Sequence, residues 1–178
     1  MPPGMRTLTA IFMALVLLAP TFALAQSEGL MPVMVTAGDL LIENPWTRAT
    51  PPGAPSAGAY LRITNNGSTT EHLSGATSTA AQLVQFHEMR VADGIMMMSE
   101  LGDGLDIAPG ETVTFAPSGF HLMLVGLAGP IDEAATIEIT LEFQRAGPVT
   151  LQFPASRIGG TSPYSDGMGG GHEMSPAM

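Results

Sequence analysis

The chain has 178 residues, a formal net charge of −10 and no cysteine. It also contains no lysine, so it lacks the basic surface that a nucleic-acid-binding protein needs. The absence of cysteine excludes disulfides, thiol chemistry, cysteine-based zinc sites and a blue-copper electron-transfer centre, which requires a thiolate.

Residues 1–25 have the pattern of a secretory signal peptide. A single Arg precedes an apolar stretch from Ile11 to Phe22, and the small-residue triplet Ala23-Leu24-Ala25 follows it. The apolar stretch is short for a membrane span and Pro20 interrupts it, which favours a cleaved signal over a retained anchor. We therefore expect export, cleavage near Ala25 and no stable membrane insertion afterwards.

Short apolar runs follow, separated by Gly, Pro, Asn and Asp, which is typical of an all-β sandwich or barrel. About eight strands are predicted, which suits a two-sheet sandwich. Their sequences are DLLIENPW, GAYLRITNNGS, AAQLVQFHEM, GIMMMSEL, ETVTFAP, FHLMLVGL, ATIEITLEF and PVTLQFPA. The segment TRATPPGAPSAGAY is predicted to be a long surface loop, because Pro51, Pro52 and Pro55 cannot donate hydrogen bonds to a strand partner.

From Gly159 onward the sequence is rich in Gly, Ser and Pro without periodicity, which predicts a flexible tail. The predicted organisation is a signal peptide at 1–25, a β-sandwich domain at 26–158 and a tail at 159–178. The tail repeats the tripeptide His87-Glu88-Met89 as His172-Glu173-Met174. Its other methionines are Met168 and Met178.

The strand FHLMLVGL has an unusual face. Successive side chains of a strand point to opposite sides, so His121 and Met123 share one face. The other face is apolar and suits a core, with Phe120, Leu122 and Leu124. A sandwich strand needs neither an imidazole nor a thioether, although methionine is a common core filler and a lone histidine usually packs through a hydrogen bond.

A second strand repeats this pairing of histidine with methionine, and a third carries a cluster of methionines. In QFHEM, His87 and Met89 share a face, and in IMMMS, Met96 and Met98 lie opposite Met97. The thioether is a soft neutral donor and imidazole a borderline one, so a cluster that mixes them favours Cu(I) over zinc, calcium or magnesium. In an exported chain without cysteine, these pairings favour a metal site over packing alone.

The run from His87 to Leu127 closely resembles the periplasmic copper chaperone family called PCu(A)C. The family signature is a His or Met, ten residues, a Met, about twenty-one residues and then His-x-Met; here ten residues separate His87 from Met98, and His121-Leu122-Met123 completes the motif. One departure is that twenty-two residues lie between Met98 and His121. We expect the loop ELGDGL to absorb the extra residue.

The resemblance spans roughly residues 35 to 155 and implies a cupredoxin-like Greek-key β-sandwich. It also implies a non-enzymatic periplasmic chaperone that delivers copper toward the binuclear copper centre of cytochrome c oxidase, its partner being the copper-binding subunit or an assembly factor. The implied Cu(I) ligands are His87, Met98, His121 and Met123. Candidate accessory ligands are Met89, Met96, Met168, His172, Met174 and Met178, with Cu(II) binding through the tail as a further hypothesis. The alternatives are copper storage or tolerance, and an interaction domain that binds no metal.

Overall fold

The computed structural model describes residues 30–92 and 94–164, and this part of the chain contains eleven strands. They are β1 (Met34–Ala37), β2 (Leu40–Arg48), β3 (Ser56–Asn65), β4 (Glu71–Ser78), β5 (Ala81–Ala92), β6 (Ile95–Glu100), β7 (Leu105–Ile107), β8 (Thr112–Phe115), β9 (Phe120–Leu127), β10 (Thr136–Phe143) and β11 (Gly147–Ser156). Each of the eight predicted strands is present. The predicted signal peptide lies outside the described residues. Within residues 30–92 and 94–164, no helix has the length and hydropathy to cross a bilayer.

The strands form two layers that share one strand. The first layer has the order β6-β5-β9, followed by β3 with β8 beside it, then β2 and β1. The second layer has the order β11-β10-β4-β7. Strand β11 joins them, since it pairs with β10 along most of its length and with β2 through Ala155 and Ser156. The all-β sandwich predicted from the sequence is therefore confirmed.

The core lies between the two layers. The first layer contributes Leu40, Ile42, Leu61, Ile63, Leu122 and Leu124. The second layer contributes Leu73, Ile139, Leu141, Phe143, Leu151 and Phe153. These side chains alternate along their strands with residues that face outward, so burial of one face explains the period-two pattern in the sequence. In β9, Leu122 and Leu124 are buried, as the pattern predicts, and His121 on the opposite face is buried as well.

Three strands, β1, β4 and β7, were not predicted from the sequence. Strand β4 is rich in small and polar residues, and its first buried position is Glu71. This carboxylate accepts hydrogen bonds from the backbone N–H groups of His72, Arg145 and Ala146, at 2.9–3.0 Å. A buried carboxylate with several backbone donors is stable in the core but gives no hydrophobic signal in the sequence.

The Pro-rich loop is shorter than predicted. Strand β2 runs to Arg48 and β3 begins at Ser56, so the loop comprises residues 49–55. The prediction failed because the small residues before Tyr60 still pair: Ala57 and Gly58 lie opposite Leu124 and Met123 of β9. Backbone pairing here extends a strand that composition alone does not indicate.

The described part of the segment assigned to the tail lies against the sandwich. The hydroxyl of Tyr164 donates to the carbonyl of Pro45 at 2.7 Å, and Tyr164 is buried. Nε of Arg48 donates to the carbonyl of Gly160 at 2.8 Å. Residues 165–178 lie outside the described residues. A truncation that preserves these contacts must therefore end after Tyr164.

Candidate metal site

The predicted ligands lie on the outer face of the first layer, at the β6 edge. Strand β5 pairs with β9 so that His87 lies directly opposite His121. Strand β5 also pairs with β6, which places Met89 opposite Met98. These residues lie on three neighbouring strands, β6, β5 and β9.

Three of the four predicted ligands are in contact. The rings of His87 and His121 meet edge to face, with centroids 5.5 Å apart and planes at 71°. Nδ1 of His87 lies 3.0 Å from Sδ of Met98, which is the diagonal neighbour of His87 on β6. Two imidazoles and one thioether therefore converge at one place.

Met123 lies on the same face as His121, two residues farther along β9. Its partners across the ladders are Gln85 on one side and Gly58 on the other, and its side chain is half-buried. Met123 is therefore one pleat from His121 on the same face of β9.

Each histidine has a ring nitrogen in a defined environment. Nδ1 of His121 lies 3.2 Å from the carbonyl of Gly119. A carbonyl only accepts, so this contact favours the proton on Nδ1 and leaves Nε2 of His121 unprotonated. Nε2 of His87 is buried and has no hydrogen-bond partner among the described residues. A buried nitrogen without a partner loses its hydration, a cost that binding to a metal ion would offset.

The electrostatic environment of His87 favours its neutral form. Burial, together with the neighbouring imidazole of His121, lowers the pKa of His87 below its ordinary value of 6.5, and the carboxylate of Glu100 opposes the shift. Glu100 lies directly opposite His87 in the β5–β6 ladder. Because a protonated imidazole cannot bind a metal ion, this arrangement keeps His87 available as a ligand in mildly acidic solution.

A titration of the metal-free protein tests this environment. The unfolded chain binds a proton at His87 at higher pH than the folded chain does. Protonation of His87 therefore does not reduce the free energy of unfolding above about pH 6.5, and reduces it progressively as the pH falls through the lowered pKa. We expect histidine-ring NMR to show a titration with its midpoint below pH 6.5. The variant His87→Asn should lack this titration, which assigns it to His87. His121→Gln should raise the pKa of His87 and Glu100→Gln should lower it; shifts of the same sign in both variants would contradict the assignment.

The donor set is soft rather than hard. Among the described residues there is no group of three or more His, Cys, Asp or Glu side chains arranged to hold a metal ion. The side chains in contact here are two imidazoles and one thioether, which are neutral donors, and the carboxylate of Glu100 lies directly opposite His87 in the ladder. Such a neutral set suits Cu(I) better than zinc, calcium or magnesium.

The remaining predicted residues divide into two groups. Met89 and Met96 lie on the same face of the paired strands β5 and β6 as His87 and Met98. Met97 lies on the opposite face of β6, as the sequence predicts. The tail residues Met168, His172, Met174 and Met178 lie outside the described residues. The fourth histidine, His72, is in β4, where its Nδ1 lies 2.6 Å from the carboxylate of Asp106.

Sequence reasoning missed an aromatic cluster beside this face. The rings of Trp46 and Tyr60 lie 4.5 Å apart, and the guanidinium of Arg48 lies over both, at 5.9 and 5.5 Å. Burial raises the pKa of Tyr60, and Arg48 opposes the shift. The phenol of Tyr60 covers Gly58, where an added Cβ would lie 2.5 Å from the hydroxyl oxygen. Gly58 is the ladder partner of Met123, so the glycine at the start of a predicted strand was the signal for this close approach.

Comparisons with known proteins give one family. The family model described as "Putative lipoprotein LpqE-like" matches residues 40–155. The "Putative lipoprotein Lxx21020" of Leifsonia xyli subsp. xyli (strain CTCB07) is 32% identical over 126 residues, which cover 71% of this chain and 75% of the relative.

Solved structures give the same fold. The copper-bound PCuAC domain from PmoF2 has a TM-score of 0.59 and 29% identity, covering 71% of this chain and 98% of that domain. The apo form of the PmoF2 PCuAC domain has a TM-score of 0.61 and 28% identity, covering 72% of this chain and 98% of the other.

Proposed function

This chain belongs to the LpqE-like family, and from that premise we propose that it is an exported copper carrier. It binds Cu(I) through His87, Met98, His121 and Met123. The likeness to the PmoF2 PCuAC domain, which has been solved with copper bound, supports this proposal. The resemblance of the His87–Leu127 run to the same family supports it at the level of the motif.

The observation that carries the proposal is the contact of His87, His121 and Met98 on an outer face of the sheet. Two neutral imidazoles and a thioether would bind Cu(I) without adding negative charge. Met123, one pleat away on β9, completes the set by turning its flexible side chain toward His121. The ion would be held near the surface, where another protein can reach it.

Release follows from the same chemistry. In our proposal an acceptor thiolate displaces a thioether, the ion is shared between the two proteins, and the softer charged site retains it. A copper–thiolate bond forms, a copper–thioether bond breaks and no covalent bond within either protein changes, so the protein acts as a carrier and not as an enzyme. The proposed acceptor is the copper-binding subunit of cytochrome c oxidase or one of its assembly factors, reached in the periplasm.

The organisation of the chain fits this role. Residues 1–25 would direct export and be removed near Ala25, and the names of the LpqE-like family and of the relative from Leifsonia xyli describe lipoproteins, which supports export. The sandwich from residue 26 to about 158 would carry the Cu(I) site. The tail, through His172 and its methionines, would capture Cu(II) or a second Cu(I).

A test of Cu(I) transfer to an acceptor protein distinguishes delivery from storage. We expect the full chain, titrated anaerobically with Cu(I) against a chromophoric chelator, to bind one tight equivalent, and to lose it to a dithiol acceptor such as the soluble copper-binding domain of the oxidase subunit. A chain ending at Tyr164 should keep the tight equivalent and lose only the equivalents that the tail binds. Tight binding without transfer would favour storage or tolerance. Absence of tight binding would favour an interaction domain without metal and would refute the proposal.

A further inference from the structure

We propose that the β5–β6 ribbon carries a second Cu(I) site, made of the thioethers of Met89, Met96 and Met98. It rests on the proposed function, because it describes the route by which the ion enters or leaves the site at His87 and His121. Below, the β5–β6 ribbon means residues 87–92 and 94–100, and the outer site means these three methionines.

The register of the ribbon brings the three thioethers to one face. Met89 lies directly opposite Met98, and Met96 lies opposite Val91 on the same face. Residues directly opposite in antiparallel strands have Cβ atoms about 4.5–5.5 Å apart, and diagonal neighbours about 7–8 Å apart. The unbranched methionine side chain has three rotatable bonds, so it can close the remaining distance and bring the three sulfurs to one ion.

Packing does not account for Met96 and Met98. Met96 and Met98 are 64% and 51% exposed, and the neighbouring Val91 and Ile95 are exposed as well. Burial of apolar surface stabilises a fold only where water is excluded, so the side chains of Met96 and Met98 contribute little to folding, whereas Met89 is half-buried. A thioether gives the position a chemical property that valine or leucine lacks, namely a soft neutral donor.

Met98 connects the outer site with the inner one. Its sulfur lies 3.0 Å from Nδ1 of His87, while its backbone pairs with Met89. One side chain therefore belongs to both donor sets. An ion held by His87 and His121 can move outward by exchanging imidazoles for the sulfurs of Met89 and Met96 while Met98 stays bound. Copper(I) remains Cu(I) throughout, since only ligands are exchanged.

Sharing Met98 has a measurable consequence: the two sites compete. When an ion occupies the inner site with Met98, a second ion finds only Met89 and Met96 and binds weakly. When the imidazoles of His87 and His121 are absent, all three thioethers are free for the outer site. The outer site should therefore bind more tightly in a His87→Ala/His121→Ala variant than the second equivalent does in the unmodified chain.

The test uses Ag(I), which shares the soft, monovalent character of Cu(I) and does not change oxidation state, as the probe. The full chain is labelled with ¹³C at the methionine methyl groups, and the resonances are assigned with single Met→Leu variants. In the unmodified chain we expect the first equivalent to shift Met98 and Met123, and further metal to shift Met89 and Met96. In His87→Ala/His121→Ala, the first equivalent should shift Met89, Met96 and Met98.

Met97 is the matched control, because it lies on the same strand with 50% exposure but on the opposite face. Its methyl resonance should not shift, and Met97→Leu should leave both affinities unchanged within about twofold. Met89→Leu/Met96→Leu should weaken the second equivalent by about tenfold or more and leave the first within about twofold, which is under 0.5 kcal/mol.

The outcomes separate the two proposals. The outer site would be overturned if, in excess Ag(I), the resonances of Met89 and Met96 do not shift or shift no more than that of Met97. The carrier proposal would still stand if the first equivalent binds at His87 and His121. If the unmodified chain binds no first equivalent at His87 and His121, the carrier proposal would be overturned even if the outer methionines bind metal.

Discussion

His121→Ala/Met123→Leu should lower the affinity for Cu(I) by more than about 100-fold. Loss of a group that merely orients a ligand typically costs 10- to 100-fold in metal affinity, and this variant removes two proposed ligands from one strand. His121 has its Nε2 available because Nδ1 contacts the carbonyl of Gly119. The measurement is an anaerobic competition titration against a chromophoric chelator, with circular dichroism to verify the fold.

Two matched variants make this result specific. His72→Ala removes a histidine that pairs with Asp106 on β4, in the other layer, and Met97→Leu removes a methionine on the far face of β6. Both should keep the affinity of the unmodified chain within about twofold. If the double variant of His121 and Met123 also binds Cu(I) as tightly as the unmodified chain, the histidine–methionine face is not the copper site.

Leu122→Ala should destabilise the protein by about 3–5 kcal/mol. Leu122 has no exposed surface and lies between Phe86 of β5 and Ala59 of β3, its partners in the two neighbouring ladders. Deletion of a fully buried leucine side chain costs its transfer free energy plus the free energy of the cavity that remains. Urea unfolding followed by the fluorescence of Trp46, the one tryptophan in the chain and 2% exposed, measures the loss.

The control for Leu122 is a leucine on the same sheet with the opposite orientation. Leu83 of β5 is 52% exposed, so Leu83→Ala should change the free energy of unfolding by less than about 0.5 kcal/mol. Equal effects of the two substitutions would mean that β9 does not have its Leu122 face in the core. Since Leu122 lies between His121 and Met123 in the chain, its variant should also bind Cu(I) more weakly at temperatures near its unfolding midpoint.

Local patterns predicted the strands whose apolar residues alternate. In β9 the alternation also predicted which face Leu122 and Leu124 would bury. Strands β4 and β7 were missed for two different physical reasons. Strand β4 buries the carboxylate of Glu71 with backbone donors, a polar solution to a core position, and β7 has three residues, too few for any period to appear.

Part of the candidate site was also predictable. The alternation of side chains within one strand is enough to predict that His121 and Met123 share a face. It also predicts that Met96 and Met98 share a face and that Met97 lies on the other. The contact between His87 and His121 was not predictable from periodicity, since it depends on the register between β5 and β9, which are far apart in the chain. A register shift of one residue would point one histidine into the core, so the burial of Phe86 and Leu122 sets the distance between the imidazoles.

Strand β11 joins the two layers at a seam, whereas the candidate site lies at the opposite end of the first layer. Because β11 hydrogen-bonds to β10 in one layer and to β2 in the other, the layers cannot separate without breaking main-chain hydrogen bonds. Strand β6 lies at the far end of the strand order from β7, several strands from this seam. Amide hydrogen exchange should therefore be slow and concerted around β2, β10 and β11, and fast in β6. The strand that carries Met98 can thus open while the rest of the protein stays folded.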